Sequence, residues 1–254
     1  TMIMGGRGIG KTYSAKKRVI KNFLTKGEQF VYLRRYKTEL KKSVPTFFAD
    51  VAKEFPDHQF KATAKGFYID EQLAGFCMTL STQIVEKSTP HPGVTLIIFE
   101  EFLIDLSSSY HYLRNEVETF LEAYSTVARD RDVRVVFLAN NVSLYNPYFL
   151  YFGLQLVGEQ TVAKAKGGDV ILLKVSSEEF ANHMAQTRFG KIIAGTPYGE
   201  YAIGNVALRD SNEFLERKQG TAYYYFGFFF NGEFYGVWRD DKVGLMYCSE
   251  DYDP

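Results

Sequence analysis

Cysteine is nearly absent from this 254-residue chain: Cys77 and Cys248 stand far apart, with no ligand pattern beside either. That argues against a disulfide framework and a zinc site, and makes a reducing compartment the default. Long apolar runs are missing too. No stretch of eighteen apolar residues occurs, and the start lacks a charged segment, an apolar segment and a cleavage site in series, so neither a membrane span nor a secretory leader is expected. The four histidines, His58, His91, His111 and His183, share no metal-ligand spacing and read as structural. Net charge is also lacking, since 30 Lys and Arg balance 30 Asp and Glu, which argues against a simple basic nucleic-acid binder.

What is present is an apolar content of 46%, enough to bury a substantial core in one large domain or one domain plus a smaller one. Charge is distributed unevenly. Residues 1–65 hold fifteen Lys or Arg against five Asp or Glu, and the remainder holds fifteen against twenty-five. A polyanion could meet the first part, although many of these lysines serve equally well to solvate helix faces.

The pattern of elements reads as α/β. Thr1 to Met4 is an apolar strand running into a glycine loop, and it is short enough that the chain is expected to continue before Thr1. Thr12 to Leu24 reads as a helix stopped at Gly27, Gln29 to Leu33 as a strand closed by Arg34-Arg35-Tyr36-Lys37, and Pro45 to Phe55 as a helix opened by proline. Phe67 to Asp70 and Leu73 to Leu80 suggest a hairpin inserted into the framework. Val94 to Phe99 is a continuous apolar run, as a strand buried on both faces requires, Val133 to Leu138 reads as another buried strand, Asn115 to Ala128 is helical between them, and Val170 to Val175 is a further strand. This alternation predicts a doubly wound domain with a mainly parallel sheet over 1–176, followed by a helical connection over 177–208. From 209 to 254, aromatic runs broken at Asn231-Gly232 and again at Asp241 to Gly244 predict an antiparallel meander, the start of a small β-rich domain that needs more chain or a partner at its edge. Its aromatic side chains are expected in a core rather than as base-stacking platforms.

The chemistry concentrates in three places. Gly5-Gly6-Arg7-Gly8-Ile9-Gly10-Lys11-Thr12 fits G-x-x-x-x-G-K-[ST], a phosphate loop whose backbone N–H groups cradle phosphates, whose lysine neutralises them and whose hydroxyl ligates Mg²⁺. Glu100 and Glu101 end a buried strand expected to neighbour that loop, where one carboxylate can hold the metal shell and the next can polarise water, a pairing that favours hydrolysis. Asn140 ends the following strand, where a short amide can reach a γ-phosphate or serve as an ordinary turn residue. Arg34 and Arg35 end the second strand, from which one can tether Glu101. Arg129 and Arg131 follow a helix end, where arginine complements the helix dipole or reaches a neighbouring subunit's site.

The segments GGRGIGKTY, GEQFVYLRRYKTEL, TLIIFEEF, NEVETFL, LANNVSLYNPYF, TRFGKIIAGTPYGE and GVWRDDKVGLMY, in that order from end to end, resemble the genome-packaging (encapsidation) ATPases of Picovirinae-type podophages. The resemblance implies a P-loop NTPase of the additional-strand catalytic-glutamate (ASCE) class that uses ATP and Mg²⁺ to drive double-stranded DNA into a procapsid. It also implies a ring, five-membered by that likeness, at the portal (connector) vertex in the host cytoplasm, with a packaging RNA as a further possible partner and no membrane. Carried over by motif, Lys11 and Thr12 become the phosphate and metal pair, Glu100 the metal-side acid, Glu101 the catalytic glutamate, Arg129 the finger acting in trans and Asn140 the sensor. Glu100 departs from the aspartate usual at its position, and bridging water can absorb the extra methylene. The meander resembles the start of a ribonuclease-H-like domain; its first strand lacks the metal-binding aspartate, so no DNA cleavage is expected. Two alternatives stay open: a P-loop small-molecule phosphotransferase, and a nucleotide-binding assembly protein without motor activity.

Overall fold

The computed structural model describes residues 1–82, 91–104, 110–144, 146–157, 160–204, 221–230, 233–242 and 244–249. The chain divides into two compact units, Thr1–Leu208 and Arg209–Pro254. In the first, chain order runs β1 (Met2–Gly5), α1 (Lys11–Lys26), β2 (Gln29–Arg34), α2 (Lys37–Ser43), β3 (Phe60–Thr63), β4 (Gly66–Ile69), β5 (Gln72–Thr79), β6 (Val94–Glu100), α3 (Glu116–Ala128), β7 (Arg134–Asn140), α4 (Pro147–Phe152), β8 (Val162–Ala165), β9 (Val170–Val175), and the short helices α5 (Glu178–Gln186), α6 (Arg188–Ile193) and α7 (Pro197–Ala202).

The strands form one mixed sheet in the order β3-β4-β5-β2-β6-β7-β1-β9-β8. From β5 to β9 every neighbour is parallel, and the two ends are closed by antiparallel pairings, β3-β4-β5 on one side and β9-β8 on the other. The apolar runs are continuous because both sheet faces are covered. Along β2, Phe30 and Tyr32 pack with α1 through Val19 and Ile20, while Val31 and Leu33 face α3 through the cluster holding Val117, Phe120 and Val127. Strand alternation therefore assigns each β2 side chain to a layer, and the same rule continues into Arg34 and Arg35.

Two expectations about the first unit are corrected. The helix expected over 45–55 begins instead at Lys37, where the Glu39 carboxylate accepts from the Tyr36 N–H at 2.7 Å, and it ends before Pro45, which has no N–H for the carbonyl of Lys41. Two short 3₁₀ turns, Val44–Thr46 and Ala52–Glu54, follow. The hairpin of β4 and β5 is part of the sheet rather than an insertion, since β5 pairs in parallel with β2.

The second unit is an antiparallel meander of β10 (Tyr223–Phe230), β11 (Glu233–Asp240) and β12 (Leu245–Ser249), in that spatial order. The predicted Asn231-Gly232 turn lies outside the described residues. Val237 and Trp238 of β11 are buried, whereas Tyr223, Tyr225, Phe226 and Phe229 of β10 are exposed, contrary to the expectation of a core role. Among the described residues β10 pairs with β11 alone, at one edge of the three-stranded sheet.

The α1 layer is held by an aromatic cluster in which Phe67 lies 4.2 Å from Phe47 and 5.3 Å from Phe30, ring centre to ring centre. Phe67→Ala is expected to lower unfolding free energy by about 3–5 kcal/mol. Phe229→Ala, at an exposed site, should change it by no more than about 0.5 kcal/mol. Urea titration of both variants checks the contrast, and equal effects would contradict this account of the core.

Candidate active site

The C-terminal ends of the parallel strands bring the predicted residues to one edge. Gly5 of β1 is level with Asn140 of β7 and Val175 of β9, Glu100 of β6 with Leu138, and Leu33 of β2 with Phe99. The loop between β1 and α1 turns through Gly8 and Gly10 at φ +89° and +90°, conformations costly for any side chain. Loop residues Arg7, Gly8, Gly10, Lys11 and Thr12, together with Glu100, Glu101 and Asn140, line a cavity of about 330 Å³.

Lys11 folds over the loop: its Nζ donates to the carbonyls of Gly5 at 2.9 Å and Gly6 at 2.6 Å, and to Asn140 Oδ1 at 3.5 Å. Burial pushes its pKa down to about 8. Thr12 Oγ1 donates to Glu100 Oε1 at 2.6 Å. The other oxygen of Glu100 accepts from the Tyr32 hydroxyl and from Arg34 Nη1, the latter at 3.1 Å. Burial first, and then the charge of Glu100, push the Tyr32 hydroxyl well above its ordinary range, so it stays a donor.

Arg34 is the hub. It is 6% exposed, and besides Glu100 its Nη2 meets Glu101 Oε2 at 2.5 Å and Glu39 Oε1 at 3.3 Å. Glu101 itself sits at φ +55°, a left-handed conformation uncommon outside glycine, and its side chain is more than half exposed. Arg35 does not share this role. One position along the strand, it points to the other sheet face, where Nε and Nη2 grip Glu116 at 2.7 and 2.8 Å. It reaches Glu101 only through backbone, donating from Nη1 to the Glu101 carbonyl at 3.1 Å.

Arg129 and Arg131 are not brought to this cavity. Helix α3 joins two neighbouring parallel strands and so returns the chain to the opposite sheet edge. There the Arg131 guanidinium donates to the carbonyls of His91, Pro92 and Val94, each at 2.8 Å, and of Val127 at 2.5 Å. Arg129 is exposed at the helix end, and among the described residues its side chain has no hydrogen bond or ion pair.

Tyr32, Glu39, Glu116 and Tyr148 were not singled out from the sequence. Tyr32 was within reach, since period-2 alternation puts it on the face of Arg34. Glu116 and its partners meet across 81 and 32 residues, and no local signal announces such pairings.

The chain matches the family described as Podovirus DNA encapsidation protein (Gp16) over residues 1–254. It is 41% identical over 254 residues to the DNA packaging protein of Bacillus phage B103, covering 99% of this chain and 78% of that one. Among solved structures it is similar to the N-terminal domain of the DNA packaging ATPase from bacteriophage phi29, at 42% identity and a TM-score of 0.64 over 70% of this chain and 91% of that one. It is also similar to a chain of the phi29 viral genome packaging motor assembly, at 40% identity and a TM-score of 0.68 over 100% of this chain and 76% of that one.

The lowered pKa of Lys11 generates a test. Phosphate against Nζ favours the ammonium form, so binding a phosphate ligand above pH 8 must take up a proton. ADP affinity should be level below about pH 7.5 and weaken above about pH 8, by at most about tenfold per pH unit. Calorimetric titration in buffers of different ionisation enthalpy reads the proton directly. Affinity that is level to about pH 9.5, with no proton taken up, would show that Lys11 keeps its charge in the free protein.

Proposed function

This chain belongs to the podovirus DNA encapsidation protein (Gp16) family, and from that premise we propose that it is an ATPase subunit of a phage DNA-packaging motor. Its relatives by name are DNA packaging proteins, a DNA packaging ATPase domain and a component of a genome packaging motor assembly. The finer reading is a P-loop protein of the additional-strand class, forming a homo-oligomeric ring at the portal that hydrolyses ATP between subunits and moves double-stranded DNA. The position of β7 between the loop strand β1 and the acid strand β6 supports that class. We assign residues 1–176 to the ATPase domain, 177–208 to a connection, and 209–254 to the start of a ribonuclease-H-like domain without nuclease activity.

One observation carries the site assignment. Two adjacent acids end β6, the first bonded to the loop's own Thr12 at 2.6 Å and the second to Arg34 at 2.5 Å. A hydroxyl beside a carboxylate is a hard-oxygen donor set that suits Mg²⁺ completed by phosphate oxygens and water, and Thr12 and Glu100 are the residues to hold it. Bound there, the ion would neutralise charge on the phosphates.

In this reading Lys11 and the loop N–H groups hold the phosphates in line, and Glu101 accepts a proton from the attacking water. Water oxygen bonds to the γ-phosphorus as the bond to the bridging oxygen breaks, and the charge leaves on ADP. Arg34 holds Glu101 by its carboxylate, so hydrolysis waits on the release of that contact. Asn140, within reach of Lys11, senses the γ-phosphate. Arg129, exposed on the opposite edge from its own cavity, serves as the finger for a neighbouring subunit; Arg131 is committed to four carbonyls of its own chain.

Glu101→Gln is expected to lower kcat at least about 100-fold while ATP affinity changes less than about threefold. Hydrolysis at the wild-type rate would remove Glu101 from its role. Arg129→Ala should be inactive alone and regain part of its activity when mixed with Glu101→Gln, whose intact finger completes its site. Specific activity that neither rises with protein concentration and DNA nor recovers on mixing would point to a self-sufficient site and away from a ring motor.

A further inference from the structure

Behind the acids lies a buried polar cluster that takes no part in lining the cavity. Arg35 is 1% exposed and Glu116 2%. The carboxylate of Glu116 is fully used: besides Arg35 it accepts from the Tyr148 hydroxyl and the Leu113 N–H, both at 2.8 Å. Since Glu116 is also the first residue of α3, its charge meets the positive end of the helix. An ion pair serving only the core would be complete at this point.

Arg35 does more. Its two terminal nitrogens also donate to consecutive backbone carbonyls, Glu101 at 3.1 Å and Phe102 at 2.6 Å. These carbonyls belong to the turn in which Glu101 holds φ +55°. A non-glycine residue stays in that region only where its surroundings over-determine the backbone. Here the surroundings are the Arg35 fork on one side and the bond from the Phe102 N–H to the Leu138 carbonyl, at 3.3 Å, on the other.

We propose that Arg35, Glu116 and Tyr148 form a positioning device for Glu101: Glu116 and Tyr148 orient the Arg35 guanidinium, which fixes the left-handed turn that aims the Glu101 carboxylate at the cavity. This rests on the reading of Glu101 as the acid that activates water. The two neighbouring arginines then divide the work. Arg34 holds the exchangeable carboxylate, and Arg35 holds the backbone that carboxylate swings from. Lysine cannot replace Arg35, because a single ammonium cannot span a carboxylate and two carbonyls in one plane.

The experiment replaces the cluster with apolar groups of similar size, Arg35→Met, Glu116→Leu and Tyr148→Phe together, a class of change that often leaves stability intact. Melting temperature, ADP affinity, KM and kcat are read beside Glu101→Gln. Expected are ADP affinity and KM within about threefold of wild type and kcat lower by about 10- to 100-fold, the effect of a misaimed reacting group. A purely structural role would lower the melting temperature and ADP binding and leave kcat per folded molecule within about twofold of wild type, which would overturn the proposal. Should the triple variant not fold, Arg35→Lys keeps charge opposite Glu116 and loses the fork; the same split is expected, and a wild-type kcat overturns the proposal. If Glu101→Gln itself keeps hydrolysing, the reading of Glu101 falls and this inference with it. If Glu101→Gln is inactive and the cluster variants turn over normally, only the inference falls.

Discussion

Three carboxylates converge on one buried guanidinium, and the arrangement of the site depends on it. Arg34 meets Glu39, Glu100 and Glu101, yet it is 6% exposed. Breaking such a group by removing the arginine would leave buried acids without a counter-charge, a far larger penalty than loss of a surface pair. The remaining lone pairs are met one by one: Thr12 and Tyr32 supply Glu100, and the Tyr36 N–H supplies Glu39. Glu101 differs in being open to solvent on its far side. It is therefore the acid of the three that can leave Arg34 at least cost, since water can replace what it gives up.

The geometry that makes this possible is the pleat. Consecutive residues at the end of β2 project to opposite faces, so Arg34 joins the layer of Tyr32, α1 and the glycine loop, and Arg35 joins the layer of α3 and α4. Two identical side chains thereby reach different parts of one residue, Glu101, without competing. The parallel sheet supplies the rest, because strands pointing the same way deliver their C-terminal residues to a single edge.

Much of this was legible in the sequence, and what escaped shares a physical character. The glycine loop carries its geometry in its residue types, since the positive φ of Gly8 and Gly10 is closed to most others. Buried strands announce themselves as apolar runs, and the acids and arginines at their ends follow by position. The order of strands does not follow: nothing local in Val133 to Leu138 says that β7 separates β1 from β6. Short edge strands such as β3 and β8 carry too few residues for periodicity to register. The helix expected from Pro45 was misplaced because the capping carboxylate of Glu39, a stronger signal, stands upstream. Glu116 and Tyr148 could not be read at all as partners of Arg35, because their contact is purely tertiary.

The same contacts also decide what can move separately. Helix α3 is fastened to the acid strand at both ends, through Arg35 and Glu116 beside Glu101, and through Arg131 and the carbonyls of His91, Pro92 and Val94 at the far end. Between those points Phe120 packs against Phe99 of β6, ring centres 5.9 Å apart. A helix pinned at two ends and packed along its length cannot slide without breaking a buried ion pair or a set of three hydrogen bonds. Arg129 is the residue that caps that helix, so its backbone follows directly on the pinned segment. Within the site, the Arg34 to Glu101 contact, half open to water, is the joint that can yield.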